Sequence, residues 1–156
     1  MSTGGADWWL WTHFGLILAG LAGLVIAVLS AALYLWQSSQ LKSKHLGASF
    51  MRLPSLDVLD RVHVRSLLWG VGIFTPGLLA GVVWASDLRE LGSLWRDPRA
   101  VLSLATCLMF WVIVSLRLSK LRRGQKIAAS TLIVFLLLSL TIASSYVVPG
   151  VFHGGA

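Results

Sequence analysis

The sequence predicts an all-α integral membrane protein, a four-transmembrane-helix antiparallel bundle, and three observations carry that prediction. Of the 156 residues, 56% are apolar and only 12% are charged, a balance outside the range of soluble globular domains. The apolar residues gather in four uncharged runs, roughly 11–36, 66–86, 100–116 and 127–148, each near or above the ~17 residues that a helix needs to cross the hydrocarbon. Ten of the thirteen Lys and Arg residues fall in the two loops that follow the first and third runs.

That charge asymmetry orients the bundle. Lys42, Lys44, Arg52, Arg61 and Arg65 follow the first run, and Arg117, Lys120, Arg122, Arg123 and Lys126 follow the third. Loops rich in Lys and Arg stay on the cytoplasmic side. Both termini and the loop 87–99 are then expected on the outer, periplasmic side of a bacterial inner membrane. His13, the segment from Trp95 to Asp97, and His153 share that aqueous face, where any function is expected. The net charge of +7 and pI near 10.6 are accounted for by this orientation and by anionic lipid headgroups, so no nucleic-acid partner is expected.

Taken in order, the first run is too long for a signal-peptide core and has no Lys or Arg in residues 1–10, so it is read as a retained helix. Gly15, Ala19, Gly23, Ala27 and Ala31 recur along it at a spacing of four and mark a smooth face that another helix can approach closely. In the loop 37–65, Ser55 is placed to cap a short cytoplasmic surface helix with Asp57 in its first turn. The second run carries Gly77, Gly81 and Ala85 in the same arrangement, with Pro76 expected to bend it. The third run is the shortest. Trp11, Trp36, Trp69, Trp84 and Trp111 lie near run ends, as suits rings that prefer the headgroup level. Short connections make neighbours antiparallel, and residues 1–156 read as a single membrane domain.

The residue inventory removes several chemistries. Cys107 is the only cysteine, so the chain cannot exchange a thiol pair by itself. It shows no nucleophile with a base, no glycine-rich phosphate loop and no zinc spacing. The apolar runs contain no charged residue to relay protons or bind a coupling ion. An autonomous hydrolase, kinase or pump is not expected, nor is an enzyme acting on its own.

Two readings remain for the outer face. His13 and His153 are either interfacial histidines or the two axial ligands of one b-type haem, since neutral imidazole is a normal axial ligand. The outer loop carries Asp87, Arg89, Glu90, Trp95, Arg96, Asp97 and Arg99, which read as local ion pairs of small worth. Alternatively, Arg96 or Arg99 pairs with haem propionates while Trp95 covers the macrocycle. An axial His suits chlorophyll-type rings as well. His45 and His63 read as ordinary surface or interface histidines.

The segment Leu53-Pro54-Ser55-Leu56-Asp57-Val58-Leu59-Asp60-Arg61, followed by Gly81-Val82-Val83-Trp84-Ala85, resembles the cytochrome c assembly family that includes CcsA, HemX and CcmC-type proteins. The resemblance continues through Trp95, Asp97-Pro98-Arg99, Ser103-Leu104 and Thr106, which lie where the family has its tryptophan-rich WWD segment. Ala100, Val101 and Leu102 stand where members carry Glu, Thr and Trp. His13 in Trp11-Thr12-His13 and His153 in Pro149-Gly150-Val151-Phe152-His153 match the family's two external histidines, with Phe152 inserted. The resemblance implies that His13 and His153 ligate a haem beside the loop that contains Trp95, Arg96, Asp97 and Arg99.

It covers roughly residues 8–153 and corresponds to the C-terminal half of an eight-helix member. It implies a haem-handling protein that works with other membrane-protein subunits, with lipid, and with an apocytochrome c whose own thiols take the haem. The alternative is an accessory or structural subunit of a respiratory or photosynthetic complex that has kept the bundle and lost the haem.

Overall fold

Helix follows the four apolar runs and outgrows them. The computed structural model describes residues 4–43, 54–87, 96–119 and 124–147, and these form α1 (Gly4–Ser43), α2 (Leu56–Asp87), α3 (Pro98–Leu118) and α4 (Gln125–Val147). Each contains a segment long and apolar enough to span a membrane: Trp8–Lys42, Leu56–Trp84, Ala100–Leu118 and Gln125–Ala143. Even α3, built on the shortest run, is 21 residues long. At 1.5 Å per residue that is about 32 Å, enough for the ~30 Å hydrocarbon core.

Local chemistry sets where three of the helices begin. The Ser55 hydroxyl accepts from the Val58 N–H at 3.4 Å, while the Ser55 carbonyl takes the Leu59 N–H at 3.0 Å, a Ser cap of the usual kind. The expected cap is therefore present, but the surface helix it was expected to start is not separate. Its residues are the first turns of α2, which runs unbroken through His63, Arg65 and Pro76 to Asp87. Asp97 precedes α3, its carbonyl accepting from Val101 N–H at 3.3 Å, and Pro98 occupies the first helical position, where a missing N–H is harmless. Gly124 precedes α4 with φ of 70°, and a Cβ there would lie 2.7 Å from the Tyr34 hydroxyl. The left-handed backbone favours glycine there, and a side chain would also have to displace the Tyr34 hydroxyl.

The helices close into an antiparallel ring in which α1 contacts α2 and α4, and α3 contacts α2 and α4. Each helix contributes to one core, with Leu24, Leu67, Phe110 and Leu138 fully buried in it. Large apolar side chains such as Trp11, Leu18, Trp69, Leu108 and Leu136 cover the outside, as a lipid-facing surface requires. Hydroxyls are satisfied within their own helices: Ser30, Thr106, Thr131 and Thr141 each donate to the carbonyl four residues back.

The α1–α2 contact is backbone on backbone. A Cβ on Gly20 would fall 2.7 Å from the Phe74 backbone, and one on Gly23 would fall 2.8 Å from Gly70 Cα. Gly77 lies against Leu16 and Ile17 of α1. The predicted stripe is thus half right. Gly23, Ala27 and Ala31 lie on the packed face, but Gly15 and Ala19 are exposed and Gly20 takes over. The reason is helical geometry: a spacing of four overshoots one 3.6-residue turn by about 40° at each step, so a strict four-residue stripe winds off a straight contact line.

Overpacking of this kind costs about 1–3 kcal/mol. Gly20→Ala and Gly23→Ala should each lower the melting temperature of the detergent-solubilised protein by several degrees. Gly15→Ala and Gly72→Ala, whose added methyl groups would meet nothing within 4 Å, should leave it unchanged or slightly raised. Tryptophan-fluorescence melting curves read all four.

Candidate functional site

The antiparallel register that sets Gly20 against Phe74 carries on toward the α1 N-terminus and sets His13 against Gly77 and Gly81. The His13 Nδ1 lies 2.7 Å from the Gly77 carbonyl oxygen. A carbonyl only accepts, so Nδ1–H donates and the neutral ring keeps its lone pair on Nε2. The ring fits there because residue 81 has no side chain: a Cβ on Gly81 would lie 2.8 Å from Nδ1 and 2.9 Å from Cε1. The Phe14 ring meets it at 60°, with centroids 5.6 Å apart. An imidazole whose one nitrogen is held by a backbone carbonyl presents the other as a ligand of fixed tautomer, the usual arrangement at metal centres.

Among the other expected site residues, Arg96 is exposed and Asp97 is buried at the head of α3, with 8% of its surface accessible. Trp95, His153, His45 and the Arg99 side chain lie outside the described residues. The chain order places His13, the end of α2, the head of α3 and the end of α4 at one end of the bundle. No group of three or more His, Cys, Asp or Glu with metal-binding geometry occurs among the described residues.

Sequence reasoning missed the partners of His13. The signal was available in Gly77 and Gly81, four apart, on a helix that must run antiparallel to α1. Of the surface or interface places open to His63, the structure gives the interface, 2% exposed and bonded through Nε2 to Thr131 Oγ1 at 3.1 Å, a partner the sequence did not indicate. Thr131 gives its own proton to the Ile127 carbonyl, so His63 Nε2–H is the donor in an α2–α4 tie. Trp111 donates its indole N–H to Thr75 Oγ1 at 2.9 Å, next to Pro76, a partner the sequence did not indicate. Thr75 in turn back-bonds to the Val71 carbonyl and touches Cys107 Sγ.

The opposite, basic end carries a different chemistry. Asp60 of α2 forms a half-buried ion pair with Arg117 of α3, one turn from His63. Lys42 Nζ donates to Gln125 Oε1 at 2.8 Å, and Gln125 Nε2 donates to Ser38 Oγ at 2.7 Å. These contacts tie α1 to the start of α4.

Comparison with known proteins gives a consistent picture. Residues 1–153 match the family model described as cytochrome C assembly protein. The chain is similar to the cytochrome c biogenesis protein CcsA of Guillardia theta, 28% identical over 134 residues that cover 76% of this chain and 44% of that protein. It is also similar to the CcsA of Chlamydomonas reinhardtii, 30% identical over 82% of this chain and 35% of that protein. With the CcsA of Gloeothece citriformis it is 36% identical over 55% of this chain and 27% of that protein. The matched region thus spans less than half the length of these relatives. No solved structure matches the fold.

Two outcomes are expected from the hydrogen bonds. Nitrogen-15 spectra of histidine-labelled protein should show a His13 proton on Nδ1, hydrogen-bonded to the Gly77 carbonyl. Thr131→Val, which strips His63 of a buried partner, should cost about 1–3 kcal/mol in a denaturant or thermal titration, with Thr131→Ser costing clearly less.

Proposed function

Because the chain belongs to the cytochrome c assembly protein family, we propose that it handles haem during cytochrome c assembly, holding a b-type haem as cargo at the end of the bundle that carries both termini. The observation that supports this most is the seat of His13. The Gly77 carbonyl fixes the ring so that Nε2 carries the lone pair, and the Gly81 gap admits the ring against α2. A ligand of fixed tautomer on a rigid helix loses little freedom when it binds iron.

In this reading His13 and His153 are the axial ligands. Arg96 and Arg99 balance the propionate charges, Trp95 lies along the macrocycle, and Asp97 fixes where the loop ends and α3 begins. The protein orients the haem and sets its electrostatic surroundings, while the bond-forming thiols belong to the Cys-x-x-Cys-His site of an apocytochrome c. Residues 1–156 act as one membrane domain alongside other membrane subunits and lipid. The basic loops face the cytoplasm and the haem site faces the outer side of a bacterial inner membrane, as the placement of Lys and Arg supports.

The test is an absorption spectrum of protein isolated gently from native membranes, together with its co-purifying chains. The proposal expects a Soret band and a reduced spectrum of bis-histidine type, lost or strongly weakened in His13→Ala and in His153→Ala. An intact, colourless protein held stoichiometrically in a larger complex contradicts it and favours the accessory-subunit reading, to which the departures at Ala100, Val101 and Leu102 lend support.

A further inference from the structure

At the basic end the terminal turns of all four helices line an open cleft of about 910 Å³, a volume in the range of small-molecule sites. Its wall is of two kinds. Leu56, Val64 and Leu118 are apolar, while Lys42, Arg117 and Lys126 bring positive charge and Asp57 and Asp60 negative.

The charges do not cancel where they stand. Asp57 is paired with Arg61 at 2.7 Å, and Asp60 is paired with Arg117. The sequence has only four other acidic residues, Asp7, Asp87, Glu90 and Asp97, and by chain order all four belong to the opposite end of the bundle. Lys42 and Lys126 are therefore left without a carboxylate from their own end. The loops that adjoin them contribute Lys44, Arg52, Lys120, Arg122 and Arg123, every one positive.

Lys42 is also held in place. Its ammonium donates to Gln125 Oε1, and Gln125 is itself tied to Ser38, so the cation is positioned at the cleft before any ligand arrives. An anionic group bordered by hydrocarbon, sitting where helix ends meet the headgroup layer, matches this surface. Basic pockets between membrane helices recognise such lipids by the same means.

We propose that this cleft binds the phosphate headgroup of an acidic phospholipid, with Lys42 and Lys126 as its cationic contacts and the Leu56, Val64 and Leu118 side receiving the start of an acyl chain. The lipid ties α1 to the start of α4 and offsets the positive charge gathered there. The site is independent of the haem reading and lies at the other end of the molecule.

Native mass spectrometry of the detergent-solubilised full chain tests it by titration with phosphatidylglycerol, phosphatidylcholine and inorganic phosphate. Phosphatidylglycerol should bind saturably, and the other two should not. Lys42→Gln and Lys126→Gln should each weaken binding about fivefold, from the contribution of one cation near a lipid surface. Lys42→Arg should retain binding, which separates charge from folding. Arg65→Gln, which removes an equal charge from an exposed position of α2 outside the cleft, should leave affinity unchanged. Equal binding of phosphatidylcholine, or an equal loss in Arg65→Gln, overturns the site. Binding of inorganic phosphate alone as tightly as the lipid overturns the lipid assignment in favour of a soluble anion.

Discussion

Everything at both ends of this bundle depends on how closely α1 and α2 approach. Lipid offers apolar side chains no less than a neighbouring helix does, so association rests on packing and on polar ties rather than on expulsion of water. Gly20, Gly23 and Gly70 let the two backbones meet with no side chain between them, and that contact fixes the register of a 40-residue helix against a 32-residue one. Once Gly23 is against Gly70, His13 must fall at Gly77 and Gly81, and Tyr34 and Ser38 must fall beside Asp60 and Leu56.

The polar ties then lock the remaining helices onto this pair, each with a donor matched to an acceptor. Trp111 of α3 bonds to Thr75 of α2, His63 of α2 bonds to Thr131 of α4, and Arg117 of α3 pairs with Asp60 of α2. Inside a membrane an unmatched polar group is costly, so these three contacts specify which face of α3 and α4 turns inward more sharply than their Leu-rich surfaces could. The result is a molecule with two unlike ends: a histidine on a backbone cradle at one, and an excess of cations around a cleft at the other.

Much of this was legible in the residues themselves. Four apolar runs, small residues at 77 and 81 and the Ser55 cap all speak through local chemistry or spacing, and the structure contains each of them. What could not be read was which side chains face each other. The spacing of four that singled out Gly15 and Ala19 ignored the 40° drift per step. His63 read as a surface or interface histidine with no partner named because hydropathy placed the start of the span after it, whereas α2 begins ten residues earlier, at Leu56. The seat of His13 needed the register, and the register needed two glycines on separate helices to be recognised as touching. Within the candidate site, His13 and Asp97 could be placed by the fold, while Trp95 and His153 rest on the family resemblance.

The claim that joins fold to function is that the α1–α2 contact holds His13 as a ligand. It is tested most directly by the haem content of Gly81→Ala, which keeps every proposed ligand but puts a methyl group where the His13 ring lies. The haem absorbance per protein, measured beside Gly15→Ala on the open face of α1, should fall sharply for Gly81→Ala and stay at the wild-type level for Gly15→Ala. Full haem content in a folded Gly81→Ala protein would contradict the account, because the cradle would then be incidental to whatever holds the haem.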